Sequence, residues 1–254
     1  MIHYALILAG GDGSRLSNTT QPKQFLNING IPMLMHSIRA FSKAFPNTKI
    51  YIGIQKKHKS IWKNLCQKHE FNLNHQIYLA GQERLHTVFL GLKCIFNEFG
   101  LQDAVVSIHD AARPFIDSNF ILNLLNSFGD KDIKAAVPVL NLKNAIIQYK
   151  NNNTTPLNRN NYLLCQTPQC FKFKDILKAY NYIMNNSSNS GSPKPSSNNI
   201  LERELHDDLT VFRQLFKEEK NVKLLEGRIY NIKITTDLDY FISEQVNNYF
   251  NKIG

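Results

Sequence analysis

"LILAGGDGSRLSNTTQPKQF", residues 6–25, runs from an apolar segment through a cluster of glycines into basic residues. The apolar run over residues 4–8 is short enough for a buried strand, and Gly10, Gly11 and Gly13 break it before a polar segment that can open a helix. Glycines let backbone N–H groups approach an anion closely, while the guanidinium of Arg15 and the ammonium of Lys23 add positive charge. The stretch therefore reads as a phosphate-holding turn between a strand and a helix. It is neither of two familiar loops. A P-loop needs Gly-Lys-Ser/Thr after its variable residues, and the dinucleotide fingerprint needs a third glycine where Leu16 stands. The glycines alone fit a plain turn with solvated Arg15 and Lys23 equally well; the Arg and Pro-Lys-Gln that follow favour the phosphate.

Outward from this turn, short β-rich runs and helical patterns alternate. Residues 4–8, 49–54, 76–80, 104–108 and 134–139 read as strands, with helical periodicity at 33–45 and 85–96 between them. Such alternation predicts an α/β fold, a doubly wound and mostly parallel Rossmann-like sheet. Ligands then gather at the carboxyl ends of the strands, where "AGGDGSR", "AGQER" and "HDAARPF" all fall.

The chain has 254 residues and is 43% hydrophobic, which suits a single domain spanning 1–254. Residues 185–199, "NNSSNSGSPKPSSNN", hold too little apolar surface to offset chain entropy and are expected to form a flexible loop. The formal charge of +10 is compatible with nucleic acid, an anionic surface or small polyanions, but the lysines are scattered through stretches such as "QKKHKSIWKNLCQKH". No nucleic-acid partner is expected from them. Cys66, Cys94, Cys165 and Cys170 show neither a Cys-x-x-Cys pair nor histidines at metal spacing, so they read as reduced, mostly buried thiols. Without a signal-peptide pattern or an apolar run of membrane-spanning length, the expected location is cytoplasmic, with no membrane partner.

Three further blocks carry chemistry. In "SIHDAARPF", residues 107–115, Asp110 at a strand end can hold Mg²⁺ against phosphate oxygens, or it can cap the helix that follows. Arg113 precedes Pro114 and is confined to extended backbone, whereas His109 reads as a structural hydrogen-bonding residue. Asp207 and Asp208 are either an acid/base pair or the N-cap and first-turn acid of a helix "LTVFRQLF". Lys233 falls in "YNIKITT", an alternating strand pattern with one face toward solvent or ligand.

Taken in order, "HDAARPF", "QTPQ" and "NIKITT" make the chain resemble the cytidylyltransferases that couple CTP to polyol phosphates, the 2-C-methyl-D-erythritol 4-phosphate cytidylyltransferase family, from Ala5 to about Glu244. Ribitol-5-phosphate cytidylyltransferase is a close relative of that family. The resemblance implies transfer of CMP from CTP to a polyol phosphate, without a covalent enzyme intermediate. It implies nucleotide binding by Ala9, Gly10, Gly11, Gly13, Gly81, Gln82, Arg84 and Thr87, with Gln82 standing where the family has an aspartate. It further implies that Arg15, Lys23 and Lys233 stabilise the phosphates during transfer and that Asp110 positions Mg²⁺. Asp110, Arg113, Leu142, Arg159 and Thr167 are the implied substrate-binding residues. An arm over residues 140–164 is expected to cross to a second subunit, forming a homodimer in which Arg159, eight residues before Thr167, binds substrate across the interface.

Asn141 and Leu142 replace the Asp-Thr of the erythritol-type arm. "LAGG", the eight-residue step from Arg15 to Lys23 and "IYNIK" lean to the ribitol branch, whereas "HDAARPF" and "ERLHTVFLGL" lean to the methylerythritol branch, which is the one expected. A non-catalytic basic module for nucleotides or nucleic acid is the reading from another class. It requires a basic stripe interleaved with aromatics, which the scattered lysines do not supply.

Overall fold

The computed structural model describes residues 1–11, 21–189, 205 and 207–253, leaving out the side chains of 187–189 and 253. Gly13, Arg15 and residues 190–199 lie outside the described residues.

The first four parallel strands are β1 (Ile2–Ala9), β4 (Lys49–Ile54), β5 (Gln76–Leu79) and β6 (Ala104–Asp110). A small hairpin of β2 (Asn27–Ile28) and β3 (Ile31–Pro32) lies between β1 and the first helix in chain order. The helices between the large strands are α1 (Met33–Ala44), α2 (Lys59–Lys68) and α3 (Arg84–Phe99), and α4 (Ser118–Asn126) follows β6. Next come β7 (Ala135–Asn141), a hairpin of β8 (Ile146–Lys150) and β9 (Asn153–Leu157), β10 (Leu163–Cys165) and β11 (Gln169–Lys172). The last described elements are α5 (Phe173–Asn189), α6 (Asp208–Arg213), β12 (Val222–Glu226) and α7 (Asp237–Ile253).

The main sheet runs β10-β7-β11-β6-β1-β4-β5, with β12 parallel to β7. β1 shows why it is two-faced. Ala5, Ile7 and Ala9 join Ile38, Phe41, Trp62 and Phe120 on one side, while Tyr4 and Leu6 join Val88, Leu92, Ile176 and Tyr180 on the other. A strand buried on both faces needs a continuous apolar run, and each fully buried Leu or Ile contributes about 1.5–3 kcal/mol.

The expected mostly parallel sheet is present, with an antiparallel part in which β11 inserts between β6 and β7 and β10 pairs with β7. Other expectations need correction. Lys233 is not in a strand; residues 231–235 form a connection without regular secondary structure, pinned by Ile234 N–H on Ala112 O at 2.8 Å. Residues 185–189, expected in the flexible loop, continue α5. Of the cysteines only Cys170 is buried, Cys66 and Cys94 are half-buried, and Cys165 is exposed; all four are free thiols.

Residues 140–164 make up the segment expected as an arm. Beyond the end of β7 it is an exposed β8–β9 hairpin, returning through a short turn at Arg159–Asn161 to β10. Among the described residues no helix is long and apolar enough to cross a membrane.

Candidate active site

Parallel pairing sets the strand ends side by side: Leu8 of β1 lies opposite both Gly53 of β4 and Asp110 of β6. The ends of β1 and β5 approach closely, since a Cβ on Gly10 would come within 2.6 Å of the Ala80 Cβ. Glycine is therefore required at Gly10 by packing. A Cβ on Gly11 would meet nothing within 4 Å, so its neighbours do not demand glycine there. Gln24 Nε2 donates to Ala9 O at 2.8 Å and ties the Lys23–Phe25 segment to the end of β1.

Asp110, the last residue of β6, is the centre of the cluster. Its Oδ1 accepts from Arg84 Nε at 3.1 Å, and its Oδ2 stands 2.7 Å from Lys233 Nζ. Burial works against its charge, but Arg84 and Lys233, with Arg113 further off, overcome this and hold the carboxyl far below the usual range. Helix capping falls to Asp117, which accepts from Phe120 N–H at 2.6 Å. Asp110 is thus kept as a buried carboxylate at a strand end rather than as a cap.

Its backbone is fixed from behind. Asp110 N–H donates to Thr167 Oγ1 at 3.1 Å, and that hydroxyl also meets His109 Nδ1 at 3.2 Å. His109 Nε2 lies 3.0 Å from Arg113 O, which can only accept, so Nε2 carries the proton and Thr167 donates to Nδ1. Burial pushes the His109 imidazole down to about 4, consistent with its expected structural role. Thr167 thereby spends its O–H on holding the Asp110 segment and keeps one acceptor site. Arg113 donates to Asn231 O at 2.7 Å, and Asn231 Nδ2 donates to Thr167 O at 2.8 Å, so the "NIKITT" connection is docked onto the β6 end.

Lys23 reaches the same connection, with Nζ 3.3 Å from Ile234 O, next to Lys233. On the β5 side, Thr87 Oγ1 accepts from Gly81 N–H at 3.1 Å and donates to Glu83 O at 2.9 Å, closing the turn that leads into α3. Gln82 is exposed at that turn. The structure therefore gathers Gly10, Gly81, Thr87, Arg84, Asp110, Lys233, Lys23, Arg113 and Thr167 along the strand ends. Leu142 and Arg159 belong to the arm, where the Arg159 guanidinium donates to Lys143 O.

Sequence reasoning did not give Asp208 its place. Asp207 is the N-cap expected, accepting from Thr210 N–H at 2.9 Å, but Asp208 is buried and grips Arg84 at 2.7 and 3.1 Å. The two carboxylates therefore do separate jobs, which removes the acid/base pair. An apolar helix following the pair was the one available signal, and it does not reveal a partner 124 residues away.

For a divalent cation the described residues offer no cluster of three or more His, Cys, Asp or Glu. Mg²⁺ needs only one or two carboxylates when phosphate oxygens and water complete its shell, and the carboxylate at this strand end is Asp110, whose two oxygens each hold one cationic side chain here.

A mixed, mostly parallel sheet with this polar cluster at its strand ends defines an α/β protein whose ligand site lies at the carboxyl ends of its strands. The family model described as IspD, 2-C-methyl-D-erythritol 4-phosphate cytidylyltransferase, matches residues 3–248, and the chain belongs to that family. A 2-C-methyl-D-erythritol 4-phosphate cytidylyltransferase of Bacteroides fragilis is 32% identical over 243 residues, covering 94% of this chain and 96% of the relative. A ribitol-5-phosphate cytidylyltransferase of Lactiplantibacillus plantarum is 30% identical over 239 residues, covering 93% and 94%. The solved 2-C-methyl-D-erythritol 4-phosphate cytidylyltransferase of Francisella tularensis superposes with a TM-score of 0.74 at 24% identity, covering 98% of this chain and 100% of that one.

Proposed function

We propose that this cytidylyltransferase moves the CMP unit of CTP onto the phosphate of 2-C-methyl-D-erythritol 4-phosphate. An anionic oxygen of the acceptor phosphate bonds to the α-phosphorus of CTP, the bond to the β-phosphate bridging oxygen breaks, and pyrophosphate leaves with that electron pair. The attacking oxygen needs no base. The protein's task is to align two polyanions that repel each other and to neutralise charge on the transferring group.

One observation carries this reading: cations from three separate segments, Arg84, Lys233 and Lys23, gather at the end of β6 around the Asp110 carboxylate and its neighbouring connection. Lys23 and Lys233 then bind the α-phosphate and leaving group, with Arg15 as a further expected contributor. Gly10, Gly11, Gly81, Gln82 and Thr87 border the nucleotide, and Arg113 faces the polyol. Asp110 would hold Mg²⁺, which when bound supplies further neutralisation of phosphate charge. The exposed arm fits a homodimer in which Arg159 serves the partner's site.

The test is kcat/KM for 2-C-methyl-D-erythritol 4-phosphate and D-ribitol 5-phosphate with CTP saturating, read as pyrophosphate release. An apolar Leu142 accommodates a methyl-bearing acceptor with modest selectivity, so the methylerythritol acceptor should be preferred and the ribitol one turned over weakly. A preference of about tenfold or more for ribitol 5-phosphate would assign the other branch. Leu142→Thr should change the ratio; an unchanged ratio removes the arm from acceptor selection.

A further inference from the structure

Arg84 has an unusual division of contacts. Its two terminal nitrogens form a fork on Asp208, Nη1 to Oδ1 at 3.1 Å and Nη2 to Oδ2 at 2.7 Å, while only Nε turns to Asp110, at 3.1 Å. Asp208 is wholly buried, against 29% side-chain exposure for Arg84. Tyr180 of α5 closes the back of the carboxylate, its hydroxyl donating to Oδ1 at 2.6 Å. Burial and then the Asp208 charge push the Tyr180 hydroxyl well up, so it remains a donor. Burial opposes the Arg84 charge, but Asp208 and Asp110 outweigh it and raise its pKa.

A guanidinium pairs best with a carboxylate through a two-pronged fork. Asp208 takes that fork, so Asp110 is left with a single Arg84 contact and with acceptor sites still available on both oxygens. Were the fork free, it would close onto Asp110, the neighbouring carboxylate, and cover the oxygens that face the nucleotide.

We infer that Asp208, backed by Tyr180, is a positioning residue: it holds Arg84 by its fork and thereby keeps Asp110 open toward the nucleotide. The inference rests on the proposed placement of the nucleotide at Asp110. Asp208 touches no substrate in this scheme and acts through Arg84.

Asp208→Asn preserves volume but sets an amide donor against an arginine donor, breaking the fork. The experiment compares the full chain with Asp208→Asn, Tyr180→Phe, Arg84→Gln and the two double variants carrying Arg84→Gln. It reads kcat and KM for CTP, the calorimetric affinity for CTP with Mg²⁺ and no acceptor, and Tm.

Asp208→Asn should lower kcat/KM for CTP by about tenfold or more and weaken CTP affinity, and Tyr180→Phe should shift both in the same direction by about threefold. Each effect should vanish in the Arg84→Gln background, because the residue through which it acts is gone. Two results would overturn the inference: a lowered Tm with kcat/KM and affinity unchanged, or losses that multiply with Arg84→Gln. If Asp208→Asn does not fold, Tyr180→Phe in the two backgrounds decides alone. Calorimetric CTP binding keeps this test separate from the choice of acceptor, since a chain that binds CTP but uses neither polyol phosphate still reports on Asp208.

Discussion

Lys233 Nζ stands 2.7 Å from Asp110 Oδ2, joining the connection before the last helix to the end of the central strand β6. That carboxylate is shared with Arg84, so changing it alters both the charge balance of the cluster and the proposed metal site.

Asp110→Asn is therefore expected to raise the Mg²⁺ concentration needed for half-maximal turnover, because an amide is a weaker ligand for a hard cation. Excess EDTA should abolish turnover of the parent. Titrating Mg²⁺ against pyrophosphate release checks both, and full activity in chelator would remove the metal from the scheme.

Lys23→Ala should lower kcat by about two orders of magnitude, roughly 3 kcal/mol, with a smaller change in KM for CTP. The reasoning is that Lys23, beside Lys233 through the Ile234 carbonyl, meets charge that develops mainly in the transition state. Steady-state kinetics separate the two parameters; a kcat close to the parent's would take Lys23 out of catalysis.

Arg159 hydrogen-bonds within the exposed arm, to Lys143 O. If it serves a second subunit, then Arg159→Ala and Lys23→Ala chains, each strongly impaired alone, should regain activity when mixed, because one hybrid site has both residues intact. Subunit exchange is verified by mass spectrometry of tagged chains. Exchange without recovery places Arg159 outside the partner's site.

His3, at the opposite end of β1 from the site, is buried between Thr48 Oγ1 and Ser107 Oγ, each at 2.8 Å. Burial lowers its pKa to about 3 from the usual 6.5. The unfolded chain then binds a proton that the folded chain refuses between those values. The folded state is thus favoured fully above the unfolded pKa and progressively less as pH falls toward the folded one. Between pH 7 and 5 this single group should cost about 2 kcal/mol. Urea unfolding at the two pH values measures it, and His3→Gln should remove that part of the slope.

The sequence by itself determined the alternation of strands and helices, because burial on both sheet faces requires apolar runs and an amphipathic helix repeats its apolar positions. It also determined the end of β1 before Gly10 and the "HDAARPF" strand end, since strand termination is local. The N-cap role of Asp207 was legible for the same reason. What only the tertiary structure decided depends on contacts between distant segments. The antiparallel insertion of β11 between β6 and β7 puts Cys170 in the core on one sheet face and Phe171 in the core on the other, contacts with segments far away in the chain. Lys233 alternates like a strand residue, yet its segment forms no ladder, because Asn231 and Ile234 are held by Thr167 and Ala112. Asp208 reads as one of a pair of helix-start acids until folding brings the start of α6 to the start of α3 and gives its carboxylate to Arg84. A charge's partner is fixed by where low-dielectric burial leaves it no water, and that is a property of the assembled core rather than of neighbouring letters.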